Sequence, residues 1–414
     1  MKTMTYEAAL AYLAGLQRFG MKPGLERTVA LLEQLGRPDR RVGRVVHITG
    51  TSGKGSVAAM VEAGLRAAGR RVGLYTSPPL MRFKERMQVN RAEIPEADVA
   101  RLTARVAEAA EAVIAAGLEP PTEFEVITAM ALAWFAEQSV DDLVLEAGMG
   151  GRFDATTAVE KAAVTAITNV GLDHTQWLGQ THEAIAWDKA GVIRPGVPCV
   201  TGTDHPGALA VIERVAREQG APLLHVTPAD FRVLGADLSG QVADLRGERG
   251  WYRRVRLSLL GRHQAANAAV ALRILEVLGV DEGAIREGFA HVAWPGRMEL
   301  LRAAGGQLVL LDAAHNPAKC AVLAGAVFSQ RALRKAIGFP AIDLIRQLVP
   351  VLVGATAMAA VVLAFRQALP HVNILVEMAA STLLGAVTYG AVLGLAFPKT
   401  FRLMIADLRM LAGR

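Results

Sequence analysis

The sequence predicts an α/β fold built on a mainly parallel sheet, and two patterns carry that expectation. Short apolar runs alternate with amphipathic stretches over most of the chain, as strands do when helices cross over between them. One strand-to-helix passage runs through a glycine-rich turn that holds a lysine, the local chemistry of a phosphate-binding loop. A third pattern sets the end apart. From about residue 328 the chain turns into two long uncharged apolar runs.

In order along the chain, Val45–Thr49 is an expected strand and Ser56–Ala68 the helix after it. Val72–Thr76 is a second strand, and Glu96–Ala116 and Thr122–Gln138 have helical spacing. Leu143–Glu146, Val164–Thr168 and Cys199–Thr201 are short apolar runs of strand length. Beyond Pro206 the pattern is less regular, with short antiparallel strands expected within Gln241–Leu260. Gln264–Leu278 is a helix, and Leu308–Asp312 one more buried strand. No internal repeat or low-complexity tract is present.

Composition narrows the classes. With 52% hydrophobic and 20% charged residues over 414 positions, the chain can bury a core and is not a disordered segment. Two cysteines, Cys199 and Cys320, exclude a disulfide scaffold and a cysteine-rich zinc module. No charged segment followed by an apolar run opens the chain, so a cytoplasmic location is expected for the body. The net charge of +6 comes from the region after Phe328, where nine basic residues meet three acidic ones. The body is therefore neutral, and no nucleic-acid partner is needed to explain the charge.

That last region holds 18 residues without a charge, Leu348–Phe365, and 20 more, Met378–Phe397. Each is about long enough for a ~30 Å hydrocarbon core. Arg366 and Gln367 lie in the link. Arg334, Lys335 and Arg346 precede the pair, and Lys399, Arg402 and Arg409 follow it. The positive-inside tendency then puts both ends on the cytoplasmic side. A transmembrane hairpin through residues 348–397 is the expectation, with a buried helical hairpin as the alternative.

The strongest local signal is His47-Ile-Thr-Gly-Thr-Ser-Gly-Lys-Gly-Ser56. Gly50, Gly53 and Gly55 allow a tight fold whose N–H groups, with those of Thr51 and Ser52, face phosphate. Lys54 supplies a point charge for the outer phosphates, and Ser56 a hydroxyl for magnesium. The spacing of the glycines is shorter than in the usual Walker loop.

This loop resembles that of the Mur ligase superfamily, and further motifs follow in order. They are Leu74-Tyr-Thr-Ser-Pro78, Glu85-Arg-Met-Gln-Val-Asn90, Thr122-Glu-Phe-Glu125 and Leu145-Glu-Ala-Gly-Met-Gly-Gly-Arg-Phe-Asp-Ala-Thr156. Then come Thr168-Asn-Val-Gly-Leu-Asp-His-Thr175, Lys189-Ala-Gly-Val-Ile-Arg-Pro-Gly196, Gly261-Arg-His-Gln-Ala-Ala-Asn267, Trp294-Pro-Gly-Arg297 and Leu311-Asp-Ala-Ala-His-Asn-Pro317. Residues 1 to about 325 thereby resemble the folylpolyglutamate synthase/dihydrofolate synthase family. The resemblance implies an ATP-dependent ligase that adds L-glutamate to a folate or dihydropteroate carboxylate through an acyl phosphate. The alternative is an impaired MgATP-binding module fused to a membrane hairpin.

The resemblance also implies residue roles. Gly50 to Ser56, Asn267, Arg297 and Asp312 would hold ATP. Ser56, Ser77, Glu146, His174 and Lys189 would hold Mg2+, with Lys189 carbamylated. Lys54, Lys189 and His315 would be catalytic, His315 lining the cleft to the C-terminal domain. Thr122, Glu123, Phe124 and Glu125, with Phe153, Asp154 and Ala155, would contact the pterin or pteroate.

The chain departs from the family pattern in places. Pro79 stands where a histidine is usual, which removes an imidazole and a backbone N–H. Ala147 and Ala313 replace the usual Val and Gly, and a methyl group at Ala313 strains the turn if it needs positive φ. The expected domains are 1–297, an ATP-binding domain of Mur-ligase type; 298–327, a truncated remnant of the C-terminal Rossmann-like domain; and 328–414, the apolar two-helix hairpin. That last segment resembles, in hydropathy, the final two membrane helices of a polysaccharide flippase.

Overall fold

The computed structural model describes residues 4–20, 22–302, 308–314 and 320, and the single positions Ala357, Val361, Leu384, Thr388, Ala391, Val392 and Leu395. The chain divides into two units, 1–326 and 327–414. In the second, the described positions are helical, and Thr388 donates its hydroxyl to the Leu384 carbonyl one turn back (2.8 Å). The two long apolar runs lie outside the described residues apart from those positions. Among the described residues no helix is long and apolar enough to cross a membrane.

The first unit opens with α1 (Tyr6–Gly15) and α2 (Glu26–Gln34), then β1 (Arg44–Thr49), α3 (Lys54–Ala67) and β2 (Val72–Tyr75). A small hairpin, β3 (Met87–Val89) and β4 (Ala92–Glu93), leads to α4 (Glu96–Ala115) and α5 (Glu123–Glu137). Next come β5 (Asp142–Glu146), β6 (Val164–Ile167), α6 (Thr175–Leu178), α7 (His182–Lys189), β7 (Cys199–Thr201), α8 (Pro206–Glu218) and β8 (Leu223–His225). Three antiparallel strands follow, β9 (Phe231–Asp237), β10 (Gly240–Gly247) and β11 (Gly250–Leu257). The unit continues through α9 (Arg262–Val277), α10 (Glu282–His291) and the hairpin β12 (Glu299–Arg302) and β13 (Leu308–Leu311).

The main sheet has the order β4-β3-β2-β5-β1-β6-β7-β8. Its strands from β2 to β8 pair in parallel, and β3 and β4 add an antiparallel edge. The mainly parallel sheet expected from the sequence is therefore present. Its central strands β1, β5 and β6 are buried on both faces, which is why they read as continuous apolar runs rather than alternating ones.

Two cores flank the sheet. On one face α3, α9 and α10 pack with β10 and β11 around Met60, Leu272, Leu275 and Phe289. The other core holds α1, α2, α4 and α5 around Leu31, Leu102, Met130 and Phe135. Helix α5 is apolar nearly all round because the sheet and the outer helices cover it on both sides. A third cluster joins α7 and α8 around Ile185, Ile212 and Cys199.

Some elements differ from expectation. The irregular stretch after Pro206 contains an ordinary helix, α8, whose proline sits in the first turn where no N–H partner is needed. The short strands β3 and β4 carried no readable period. Ala313 is not among the residues with positive φ, so the strain expected there is absent.

Candidate active site

The sheet places the site. The carboxyl ends of β1, β2, β5 and β6 lie side by side, with Ile48 beside Glu146, Thr49 beside Ile167 and Tyr75 beside Leu145. Each strand is followed by one of the quoted motifs. This edge is where open parallel sheets hold ligands.

From β1 the chain enters the loop Gly50–Gly53 and then α3. Gly50 and Gly53 have φ of 151° and 81°, backbone that a side chain would strain. A Cβ at Gly53 would lie 2.5 Å from Asn267 Oδ1, so α9 sits directly on the loop. The segment after β6 braces the other side. Ser52 N donates to Asn169 Oδ1 (2.8 Å), Thr168 Oγ1 to Ser52 O (2.6 Å) and Thr51 Oγ1 to Gly171 O (3.1 Å). Lys54 Nζ folds back across the loop to Gly50 O (3.1 Å).

Ser56 lies in the first turn of α3, where its hydroxyl accepts from Gln264 Nε2 (3.2 Å). Gln264 Oε1 accepts in turn from Asn267 Nδ2 (2.9 Å). Gln264 was not singled out from sequence, although it lies in the same motif as Asn267. It is the residue through which α9 reaches the loop hydroxyl.

Glu146 ends β5 and is buried. Burial pushes its carboxyl up to about 7, against the opposing pull of the Lys54 ammonium, the Ser77 N–H and Arg297. Ser77 N donates to Glu146 Oε2 (3.3 Å), while Ser77 Oγ is buried with no hydrogen-bond partner among the described residues. After the cis Ser77–Pro78 bond, Glu85 takes N–H groups from Leu80, Met81 and Arg82 at 2.7, 3.1 and 3.0 Å. That carboxylate shapes the loop without needing the N–H that Pro79 lacks.

Lys189 ends α7, which Thr181 caps, and is buried. Burial and then the Lys54 charge pull its ammonium down to about 7, opposed by Asp188, Asp154 and Asp173. The turn after β5 packs onto this helix end. Gly151 N donates to Asp188 Oδ1 (2.8 Å), and Arg152 N to Asp188 O (2.8 Å). Asp154 accepts from Met149 N (2.9 Å), Thr156 N (3.0 Å) and Thr156 Oγ1 (2.5 Å), and burial raises its carboxyl. Thr156 Oγ1 also meets His47 Nε2 (2.8 Å), whose ring burial pulls down to about 3.

His174 is exposed, with φ of 50° at the start of α6. Among the described residues, no group of three or more His, Cys, Asp or Glu side chains is arranged to hold a metal. The metal set that the resemblance implies thus depends on hydroxyls and on Lys189 as well as on Glu146 and His174.

Of the substrate segment, Thr122 and Glu125 form a reciprocal cap on α5. Thr122 N donates to Glu125 Oε2 (2.7 Å), and Glu125 also pairs with Arg27 (2.9 Å). These two side chains are occupied by structure. Glu123 accepts from Gln17 Nε2 (3.3 Å). Phe124 packs under Gly148 and 6.3 Å from the Tyr75 ring. Phe153 is 45% exposed and lies 6.5 Å from Trp187, which is 44% exposed and carries the Arg152 guanidinium 4.0 Å above its ring. Trp187 was missed from sequence, because a lone tryptophan on a short helix gives no signal. Ala155 is buried.

Arg297 follows the Trp294-Pro-Gly turn and donates to Gly296 O (3.0 Å). Asp312 holds that turn by accepting from Met298 N (2.9 Å) and Ala314 N (2.8 Å), and Ala313 N donates to Gly296 O (2.9 Å). A cavity of about 190 Å³ opens beside Arg297, lined by Leu259, Trp294, Met298 and Glu299 among others. His315 lies outside the described residues.

A glycine loop at the carboxyl edge of a parallel sheet, with a lysine and a serine opening the helix after it, is the architecture of a P-loop nucleotide-binding core. Residues 48–275 match the Mur ligase middle domain. The chain is 39% identical over 320 residues to the dihydrofolate synthase/folylpolyglutamate synthase of Bacillus subtilis, covering 75% of this chain and 73% of that protein. The crystal structure of folylpolyglutamate synthase from Thermotoga maritima is 38% identical, with a TM-score of 0.72 over 78% of this chain and 75% of its own. A folylpolyglutamate synthase solved with AMPPCP and folate is 36% identical, with a TM-score of 0.73 over 78% and 80%. The chain belongs to the folylpolyglutamate synthase/dihydrofolate synthase family of Mur ligases, ATP-dependent glutamate ligases.

Proposed function

We propose that this chain joins L-glutamate to the carboxylate of a folate or a dihydropteroate, with MgATP activating that carboxylate as an acyl phosphate. The observation that supports the reading most is the glycine loop after β1, braced by Thr168 and Asn169 and covered by Asn267, with the buried Glu146 ending the neighbouring strand and the buried Lys189 ending α7. Two buried ionisable groups, each moved to about 7, both feel the charge of the phosphate-loop lysine.

In this reading Gly50 to Ser56 cradle the phosphates and Lys54 neutralises the outer ones. Asn267, which sits against Gly53, would hold ATP with Arg297 and Asp312. The unpartnered Ser77 hydroxyl and the Glu146 carboxylate, which takes one N–H from Ser77, suit a hard cation that prefers oxygen. Ser56, Ser77, Glu146, His174 and Lys189 would hold Mg2+, which supplies charge neutralisation on the transferred phosphate. Phe124, Phe153 and Ala155 line the pterin side, with Asp154 shaping the turn. His315 would be the catalytic residue lining the cleft to the C-terminal domain, as the resemblance implies.

Lys189 has the property carbamylation requires, an amine that loses its proton near neutrality. Its neutral Nζ attacks carbon dioxide, an N–C bond forms, one C=O pair moves to oxygen and a proton leaves. The product is an anion where Lys189 had been a cation.

We further propose that residues 348–397 form an apolar hairpin in the membrane, with the ligase body on the cytoplasmic side. The flippase-like character of that segment rests on its hydropathy alone.

The test is ADP release by the detergent-solubilised full chain with MgATP, comparing tetrahydrofolate with dihydropteroate, each with and without glutamate. Turnover that needs acceptor and glutamate supports ligation. Lys54→Ala is expected to reduce it by about 10²-fold or more, the scale of removing a group that stabilises transition-state charge. Nucleotide binding with no glutamate-dependent turnover would replace the ligase by a MgATP-binding module.

A further inference from the structure

Arg91 is unusual in its backbone. The β3–β4 hairpin turns through Asn90 and Arg91 with φ of 48° and 70°. Two-residue turns of this hand favour Asn followed by Gly, because the second position has little room for a side chain. Here an arginine occupies the glycine's place. One of its nitrogens, Nη1, is also buried with no hydrogen-bond partner among the described residues. Both features cost stability at one residue, and such costs concentrate where a position serves the site.

The rest of the side chain shows what is gained. Arg91 Nη2 donates to Ala293 O (2.7 Å), and the guanidinium carbon lies 5.7 Å from the centre of the Trp294 ring. Trp294 rests on the phosphate loop, where a Cβ at Gly55 would lie 2.9 Å from its Cζ2. Burial raises the carboxyl of Glu62 on α3, and the charge of Arg91 is among those that oppose this. The hairpin side chain thus ties the 293–294 turn to the loop helix.

We propose that Arg91 is a positioning residue for nucleotide binding: it clamps Trp294 onto Gly55 and so places Arg297 three residues further on. This rests on the nucleotide reading of the loop. Arg91 acts through Trp294 and not on the nucleotide itself.

The test is calorimetric binding of AMPPCP with Mg2+ to the full chain in detergent, with thermal melting of each variant alongside. Arg91→Gly suits the turn's backbone, so the hairpin is not strained by the change. It should weaken binding about three- to fivefold, the scale of a lost cation–ring contact. Arg91→Lys keeps a cation over the ring and should fall between that variant and the original chain. In a Trp294→Leu background Arg91→Gly should add nothing further, a coupling that general destabilisation would not produce. Unchanged affinity in Arg91→Gly, or an equal loss in both backgrounds, overturns the inference. Absence of binding by the unsubstituted chain would remove the nucleotide reading and this inference together.

Discussion

At the scale of single residues, the site is a set of burials that each cost something. Glu146 holds its proton up to about pH 7 when folded, whereas an ordinary glutamate loses it near 4.5. Between those values the folded state binds the proton and the unfolded chain does not, so ligand-free stability falls as pH rises through this window. Glu146→Gln should therefore melt higher than the original chain at pH 8 and equally at pH 4, while losing turnover. A melting difference that does not vary with pH would contradict this. Lys189 moves the other way. Above about pH 7 its amine is neutral, so bicarbonate at pH 8 should add the mass of one carbon dioxide to the intact chain and not to Lys189→Ala. Local residues were legible in the sequence, because Gly50, Gly53, Lys54 and Ser56 sit within one short run. Gln264 and Arg91 were not. Their partners lie 208 and 202 positions away, beyond the reach of any local pattern.

At the scale of elements, the sequence was readable where an apolar run is long or buried on both faces. The expected α4, α5 and β5 agree with the structure to within a residue at each end. The three-residue β3 and two-residue β4 are too short to show a period, and their place at the sheet edge comes from antiparallel pairing with β2. Helices α10 and α3 cross backbone to backbone. A Cβ at Gly288 would lie 2.5 Å from Gly64 N, so the two backbones touch. Gly288→Ala is expected to destabilise the body by ~1–3 kcal/mol, measured as a lower denaturant midpoint with unchanged slope. An unchanged midpoint would mean that the helices part without cost. Because α3 begins at Lys54, nucleotide affinity should weaken in the same variant.

At the scale of the whole molecule, two units differ in chemistry. The first is charge-balanced, and the second carries the net +6 beside its apolar runs. If residues 348–397 span a bilayer, the full chain should stay in the membrane pellet after an alkaline carbonate wash. Release into the supernatant would rule out a spanning hairpin. The order of the main sheet has a further consequence, one of timing. Arg44 of β1 pairs with Asp142 of β5, 98 residues away, and the glycine loop hangs from the end of that pair of strands. Sheets closed by such distant partners assemble slowly. The loop, β5 and the brace at Thr168–Gly171 are expected to take their shape only with that closure, because the brace and β5 hold the loop from both sides. Nucleotide binding is therefore expected to return late: refolding followed by regained nucleotide binding should lag behind recovery of helix signal, and simultaneous recovery would contradict this.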